Sequence, residues 1–287
     1  MKYSHILELL SLLIMGASGC TKSVEIIAHR GASYIAPENT MASVMLGWDK
    51  GADVEVDVYL TKDNRIVVIH DDSTKRTAGT DLKVAEATSA ELRKLDVGSF
   101  KSQEYAGEQI PFLDDIVETI PPGRKLYIEI KGGKEVLPYL RELLVRSGKM
   151  SQVVIIGFDL ETVAESKVLI DVPTYWLKGT EKIKETEQWI PHDPNLAQVA
   201  GSKRLDGLDV HYAGVTKEFA RAVKASGLKL YNEAKYAEAL PILARATAQP
   251  GPLGDYAEYY KGLAELGLHA ATLVVVARGP YPARGDL

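Results

Sequence analysis

Polar side chains suited to acid–base and metal chemistry recur in this chain at the ends of short apolar runs. His29-Arg30-Gly31 closes the run Glu25–His29, and Pro37-Glu38-Asn39-Thr40 follows closely. Glu55-Val56-Asp57 lies within Asp53–Leu60, His70-Asp71 ends Arg65–His70, and Glu129-Ile130-Lys131 ends Leu126–Lys131. In an extended strand successive side chains take opposite faces. Glu55 and Asp57 therefore share one face, with Val54, Val56 and Val58 on the other. The same count pairs Glu129 with Lys131 and turns Ile128 and Ile130 away from them. Three carboxylates gathered on one inward face repel one another unless a cation neutralises them. Glu55, Asp57 and Glu129 offer only hard oxygen, which suits Mg2+ or Ca2+ better than zinc.

His29 and His70 add groups that can act as general base and general acid near neutral pH. Arg30 offers a planar, permanently charged fork for phosphate oxygens. Metal ligands, acid, base and cationic clamp together describe the cleavage of a phosphodiester. Each feature alone has a plainer explanation. A strand-end histidine is more often a hydrogen-bonded structural residue, and Glu-x-Asp on a strand is usually a solvated face. Glu-x-Lys is usually a surface ion pair. These explanations fail together, because the strands concerned are otherwise apolar and would bury unpaired carboxylates at high cost.

Such groups converge only if the chain brings several strand ends to one place. Strand candidates continue with Val153–Phe158, Thr174–Leu177, Gly207–His211 and Leu228–Tyr231. Helical patterns at Thr40–Lys50, Ser89–Leu95, Phe112–Ile120, Glu135–Ser147, Leu160–Ile170 and Lys217–Ala225 separate most of them. Alternating strands and helices predict a parallel sheet, and eight strand candidates favour a closed (β/α)8 barrel. Arg65–His70 counts as the third of these eight. His29 and His70 are then expected to end adjacent parallel strands. The stretch Asp72 to Pro111 is expected to form a surface insertion beside the barrel mouth.

Composition bounds the remaining possibilities. Of 287 residues, 46% are hydrophobic and 25% charged, which excludes disordered and collagen-like classes. Acidic residues outnumber basic ones 39 to 34, so there is no basic surface for nucleic acid. The single cysteine, Cys20, excludes an intramolecular disulfide and a Cys-based zinc cluster.

The motifs His29-Arg30-Gly31, Pro37-Glu38-Asn39-Thr40, Glu55-x-Asp57-Val58, Thr61-Lys62-Asp63, His70-Asp71, Arg76-Thr77 and Glu129-Ile130-Lys131 resemble those of glycerophosphodiester phosphodiesterases. The resemblance runs from about Ile26 to Tyr231. It implies an α/β fold, a (β/α)8 TIM barrel of the type found in phosphatidylinositol-specific phospholipases C. It also implies divalent-cation-dependent hydrolysis of glycerophosphodiesters to glycerol 3-phosphate and an alcohol. Carried over by motif, His29 and His70 form the acid–base pair. Glu55, Asp57 and Glu129 become metal ligands, and Arg30 and Lys131 contact the phosphate. Two other readings stand beside this one: a non-catalytic barrel scaffold, and a phospholipase-type enzyme acting on intact lipids through an apolar rim.

The two ends of the chain differ from this core. Residues 1–20 read as a targeting segment, with Lys2 in a positive region and an apolar run over Leu9–Ala17. The segment resembles a bacterial lipoprotein signal, which implies lipidation at Cys20 and a membrane-anchored or periplasmic protein of the cell envelope. A plain secretory signal or an N-terminal helix is the alternative. The anchor would be the chain's membrane contact. Residues 24–231 then form the barrel, and 232–287 depart from the family pattern. That last segment resembles tetratricopeptide-type helical hairpins, a possible site for a protein partner, or else supplies the last barrel helices. Thr272–Ala277 is a candidate further strand, which leaves open whether the last βα unit closes the barrel.

Overall fold

A computed structural model describes residues 25–232 and 272–276 of the protein, and the two-residue alternation of its strands organises them. The strands are β1 (Glu25–Ala28), β2 (Asp53–Leu60), β3 (Ile66–Val68), β4 (Leu126–Ile130) and β5 (Val153–Gly157). β6 (Thr174–Lys178), β7 (Gly207–Val210), β8 (Lys229–Asn232) and β9 (Thr272–Val276) complete the set among the described residues. All but β3 pair in parallel, from β1 to β2 and β4, onward through β8 to β9, and back to β1. The sheet is therefore a closed parallel barrel. Its eighth stave is β9, which lies beyond the expected barrel boundary at residue 231.

β3 departs from the sequence expectation. It pairs antiparallel with β2, Val58 opposite Val68 and Leu60 opposite Ile66, and is not a stave of the ring. The reason is the length of the connection. A parallel crossover needs a dozen or more residues, whereas Thr61 to Arg65 can form only a hairpin. Asn64 takes a left-handed conformation there (φ 59°). The Thr61 hydroxyl closes the turn by accepting from the Arg65 N–H at 2.9 Å. His70 thus reaches the barrel mouth on the returning arm of a hairpin rather than at the end of a parallel neighbour. The Ile69 N–H bonds to the Asp57 carbonyl at 3.0 Å, which draws His70 down beside β2.

Helices α1 (Met41–Asp49), α2 (Lys75–Ala78), α3 (Ser89–Leu92), α4 (Leu113–Glu118) and α5 (Leu137–Ser147) are followed by α6 (Leu160–Leu169), α7 (Asn195–Ser202) and α8 (Lys217–Ala225). Thr40, Asp159 and Thr216 cap α1, α6 and α8 by accepting a first-turn N–H. The sequence pattern missed α7, whose run is short, contains Gly201 and has Pro194 in place of a side-chain cap. On the outer face, Val54, Val56, Val58, Ile128 and Ile130 pack beneath the helices. On the inner face, Ile27, Tyr127, Val154, Ile156, Tyr175 and Tyr231 fill the barrel. The insertion Asp72–Pro111 has its own small core, Val84, Leu92, Val97 and Ile110 against Val67 and Ile69 of the hairpin.

The targeting segment with Cys20, and the helical reading of the tail, lie outside the described residues. Among the described residues, no helix is long and apolar enough to cross a membrane.

Candidate active site

The chain turns sharply as it leaves β1. Arg30 (φ 54°) and Gly31 (φ 73°) are both left-handed, and a Cβ on Gly31 would lie 2.4 Å from Ser43 Oγ. Only glycine fits there. The turn lays the Arg30 N–H on Glu55 Oε2 at 2.8 Å, and Ser43 Oγ donates to the Arg30 carbonyl at 3.0 Å. Asn39 is also left-handed (φ 55°), a conformation that asparagine tolerates. Its Nδ2 donates to Asp57 Oδ2 at 2.8 Å, and its Oδ1 accepts from the Asp57 N–H at 3.1 Å. The loop after β1 is thereby fastened to β2 at both carboxylates.

Strand register sets the acidic cluster. Asp57 is paired directly with Glu129, and Glu55 sits two residues earlier on the same face. One oxygen from each of Glu55, Asp57 and Glu129 lies within 4.8 Å of the others, and all three residues are buried. Burial, followed by the charges of Asp57 and Glu129, pushes the Glu55 carboxyl well above its ordinary pKa. Burial, followed by the charge of Glu129, pushes Asp57 up to about 6. Lys131 Nζ donates to Glu129 Oε1 at 2.9 Å but is 3.7 Å from Asp57 Oδ1, beyond hydrogen-bond reach. Burial opposes the charge on Lys131, yet Glu129 and Asp57 outweigh it and hold its pKa above the usual lysine value. Glu55 Oε1 and Asp57 Oδ1 are buried without a hydrogen-bond partner. Buried carboxylate oxygens are costly to leave so, and a hard cation would satisfy both. The donor set therefore fits a divalent cation.

The histidines flank this cluster. His29 Nε2 lies 3.9 Å from Glu55 Oε2. His70 Nδ1 lies 2.6 Å from Asp71 Oδ1, and its Nε2 is 3.2 Å from Lys131 Nζ. The hydrogen bond with His70, reinforced by Arg76, holds Asp71 below the ordinary carboxylate range despite burial. An ionised carboxylate can only accept, so Nδ1 carries a proton toward Asp71 while Nε2 faces Lys131. Arg30 Nη1 donates to Glu38 Oε1 at 2.9 Å, and its Nε is 3.3 Å from Asp57 Oδ2. Arg76, on α2, donates to both Glu38 oxygens at 2.7 and 2.8 Å and to Asp71 Oδ2 at 2.6 Å. Burial alone would raise the Glu38 pKa, but Arg76 and Arg30 outweigh it and lower it.

His29, His70, Arg30, Lys131, Glu55, Asp57 and Glu129 therefore converge at one end of the barrel. Beside them opens a cleft of about 100 Å³. His29, Glu55 and Glu129 line one side of it, and Phe158, Lys178, Asp209 and His211 the other. Sequence reasoning assigned no role to those four. The available signal was parity, since Asp209 and His211 share the lumen face of their strand. Glu38, Asn39, Asp71 and Arg76 stand in the sequence only as motif members, because the contacts of Asn39 with Asp57 and of Arg76 with Glu38 join residues 18 and 38 positions apart.

Comparison with known proteins agrees with this geometry. Residues 29–232 match the model of the glycerophosphoryl diester phosphodiesterase family. The chain belongs to this family. A glycerophosphodiester phosphodiesterase of Caldanaerobacter subterraneus subsp. tengcongensis is 32% identical over 218 residues, 72% of this chain and 83% of the relative. An Oleispira antarctica phosphodiesterase, solved with the product sn-glycerol-3-phosphate, is 28% identical with a TM-score of 0.62. That match covers 77% of this chain and 89% of the other. A glycerophosphodiester phosphodiesterase structure from Agrobacterium tumefaciens, at 23% identity, shares the fold with a TM-score of 0.63 over 77% of this chain and 93% of its own. As a glycerophosphodiester phosphodiesterase, the protein is a phosphoric diester hydrolase with a TIM-barrel fold.

Proposed function

We propose that the protein hydrolyses glycerophosphodiesters with a divalent cation held by Glu55, Asp57 and Glu129, and with His29 and His70 as the acid–base pair. The observation that carries this reading is the buried carboxylate triad with two oxygens lacking hydrogen-bond partners, flanked by both imidazoles. Mg2+ and Ca2+ both suit an all-oxygen donor set. When bound, such a cation supplies Lewis-acid stabilisation of charge on phosphate oxygen and acidifies a nearby hydroxyl.

The chain's own groups divide the remaining work. Arg30 and Lys131 bring positive charge to the phosphate oxygens, and Lys131 already bridges Glu129 and His70. One imidazole takes the proton from the attacking oxygen as the new P–O bond forms; that oxygen belongs to water, or to the glycerol hydroxyl with water opening the cyclic phosphate in a second step. The other gives a proton to the departing alkoxide as the old bond breaks. The Nδ1–H bond to Asp71 keeps His70 Nε2 available for this transfer. The product complex of the Oleispira antarctica relative supports glycerol 3-phosphate as the phosphate-bearing product. Lipidation at Cys20, with residence in the cell envelope, is part of the same proposal and rests on the leader sequence.

The test is release of glycerol 3-phosphate from glycerophosphocholine with Mg2+, with Ca2+ and with chelator, for the wild type, His29→Ala and His70→Ala. Metal-dependent release by the wild type and its loss in both variants are expected. Release that survives chelation, or near-normal turnover by either variant, overturns the assignment.

A further inference from the structure

We propose that Arg76 is a positioning residue that sets His70 and Arg30 together from the insertion. The inference rests on the roles given above to those two residues. Arg76 stands on α2, the first helix of the Asp72–Pro111 insertion, and lines neither the cleft nor the carboxylate cluster. Its guanidinium nevertheless makes two separate connections to the site. Through Nε it holds Asp71 Oδ2 at 2.6 Å, while Asp71 Oδ1 holds His70 Nδ1 at 2.6 Å. Through Nη1 and Nη2 it holds both oxygens of Glu38, while Glu38 Oε1 also accepts from Arg30 Nη1 at 2.9 Å. One planar fork thus fixes the carboxylate that orients the histidine and the carboxylate that orients the phosphate-facing arginine.

A plain surface ion pair would be of little consequence, and the Arg76 side chain is 41% exposed. Three features separate this case from that one. The contact with Glu38 is bidentate, Glu38 is only 14% exposed, and both bridged carboxylates touch site residues directly. Lysine could not reproduce the arrangement, because a single ammonium lacks the rigid fork that spans two carboxylates. Partners that orient such groups typically cost about 10–100-fold in activity when removed.

The experiment compares kcat, KM and thermal stability of wild type, Arg76→Ala, Arg76→Lys and His70→Ala in the glycerol 3-phosphate assay. It also adds guanidinium ion at sub-denaturing concentration. Arg76→Ala is expected to lose about 10–100-fold in kcat with a rise in KM. Guanidinium should restore part of both, and Arg76→Lys should stay impaired at near-wild-type stability. In the Arg76→Ala protein the His70 Nδ1–H proton resonance should shift or broaden. Wild-type kcat and KM in Arg76→Ala overturn the inference. So does a loss that tracks reduced stability and ignores guanidinium. Should Arg76→Ala not fold, wild-type kinetics in Arg76→Lys overturn it and impaired kcat at unchanged stability supports it. A His70→Ala protein with normal turnover would instead sink the acid–base reading, which separates the two failures.

Discussion

Replacing Asp57 with asparagine should stabilise the metal-free protein while removing its response to metal. Asp57 is fully buried, and its pKa is pushed from 3.8 to about 6 by burial and by Glu129. At 1.36 kcal/mol per pH unit, that rise corresponds to about 3 kcal/mol. The sign follows from linkage: the folded state binds the Asp57 proton more tightly than the unfolded state does. The associated stability is complete below pH 3.8 and is lost as pH rises through about 6. Above that range the wild type bears the whole cost of an ionised Asp57, whereas asparagine bears none and can still accept from Asn39 Nδ2. Chelated Asp57→Asn at pH 8 should therefore exceed chelated wild type by up to about 3 kcal/mol. That is about 6–12 °C in Tm for a chain of this size. The gap should narrow as pH falls from 6 toward 4. Excess metal at about 100 times Kd should raise the wild type by about 2.7 kcal/mol and leave the variant unmoved. Calorimetry at pH 8 and pH 4.5, with chelator and with Mg2+ or Ca2+, reads all of this. A variant no more stable than chelated wild type at pH 8 would show that Arg30 and Lys131 already neutralise the triad. A retained metal-induced shift would remove Asp57 from the ligand set.

Four further outcomes are expected. Gly31→Ala places a Cβ 2.4 Å from Ser43 Oγ at a left-handed residue, so the loop after β1 must move. Soluble protein with wild-type kcat would contradict that. Asn39→Ala removes two bonds to Asp57 and requires alanine at φ 55°; a loss of about 2–4 kcal/mol is expected in urea unfolding, with reduced activity. Truncation after Asn232 removes β9 and leaves β1 and β8 without their shared neighbour. The truncated chain should aggregate or lose cooperative unfolding, and a soluble, cooperatively unfolding product would argue against closure by β9. Finally, Cys20→Ser should abolish incorporation of labelled fatty acid and release the protein from membranes, as fractionation would show.

Much of the site was legible in the chain itself. Period-two alternation put Glu55 with Asp57 and Glu129 with Lys131 on the lumen side, because strand geometry depends only on neighbouring residues. The family resemblance of the motifs singled out His29, His70 and Arg30 as candidates. Tertiary structure decided what local pattern cannot encode. The five residues from Thr61 to Arg65 made β3 an antiparallel return, so His70 arrives beside Asp57 along a hairpin. Register, not spacing, set Glu129 against Asp57. Glu38, Asp71 and Arg76 became one network only when the insertion folded back over the loop after β1. Side-chain type and alternation are properties of the sequence. Which carboxylates share an arginine, and which oxygens are left without a donor, depends on distances between residues far apart in the chain, and those exist only once the barrel has closed.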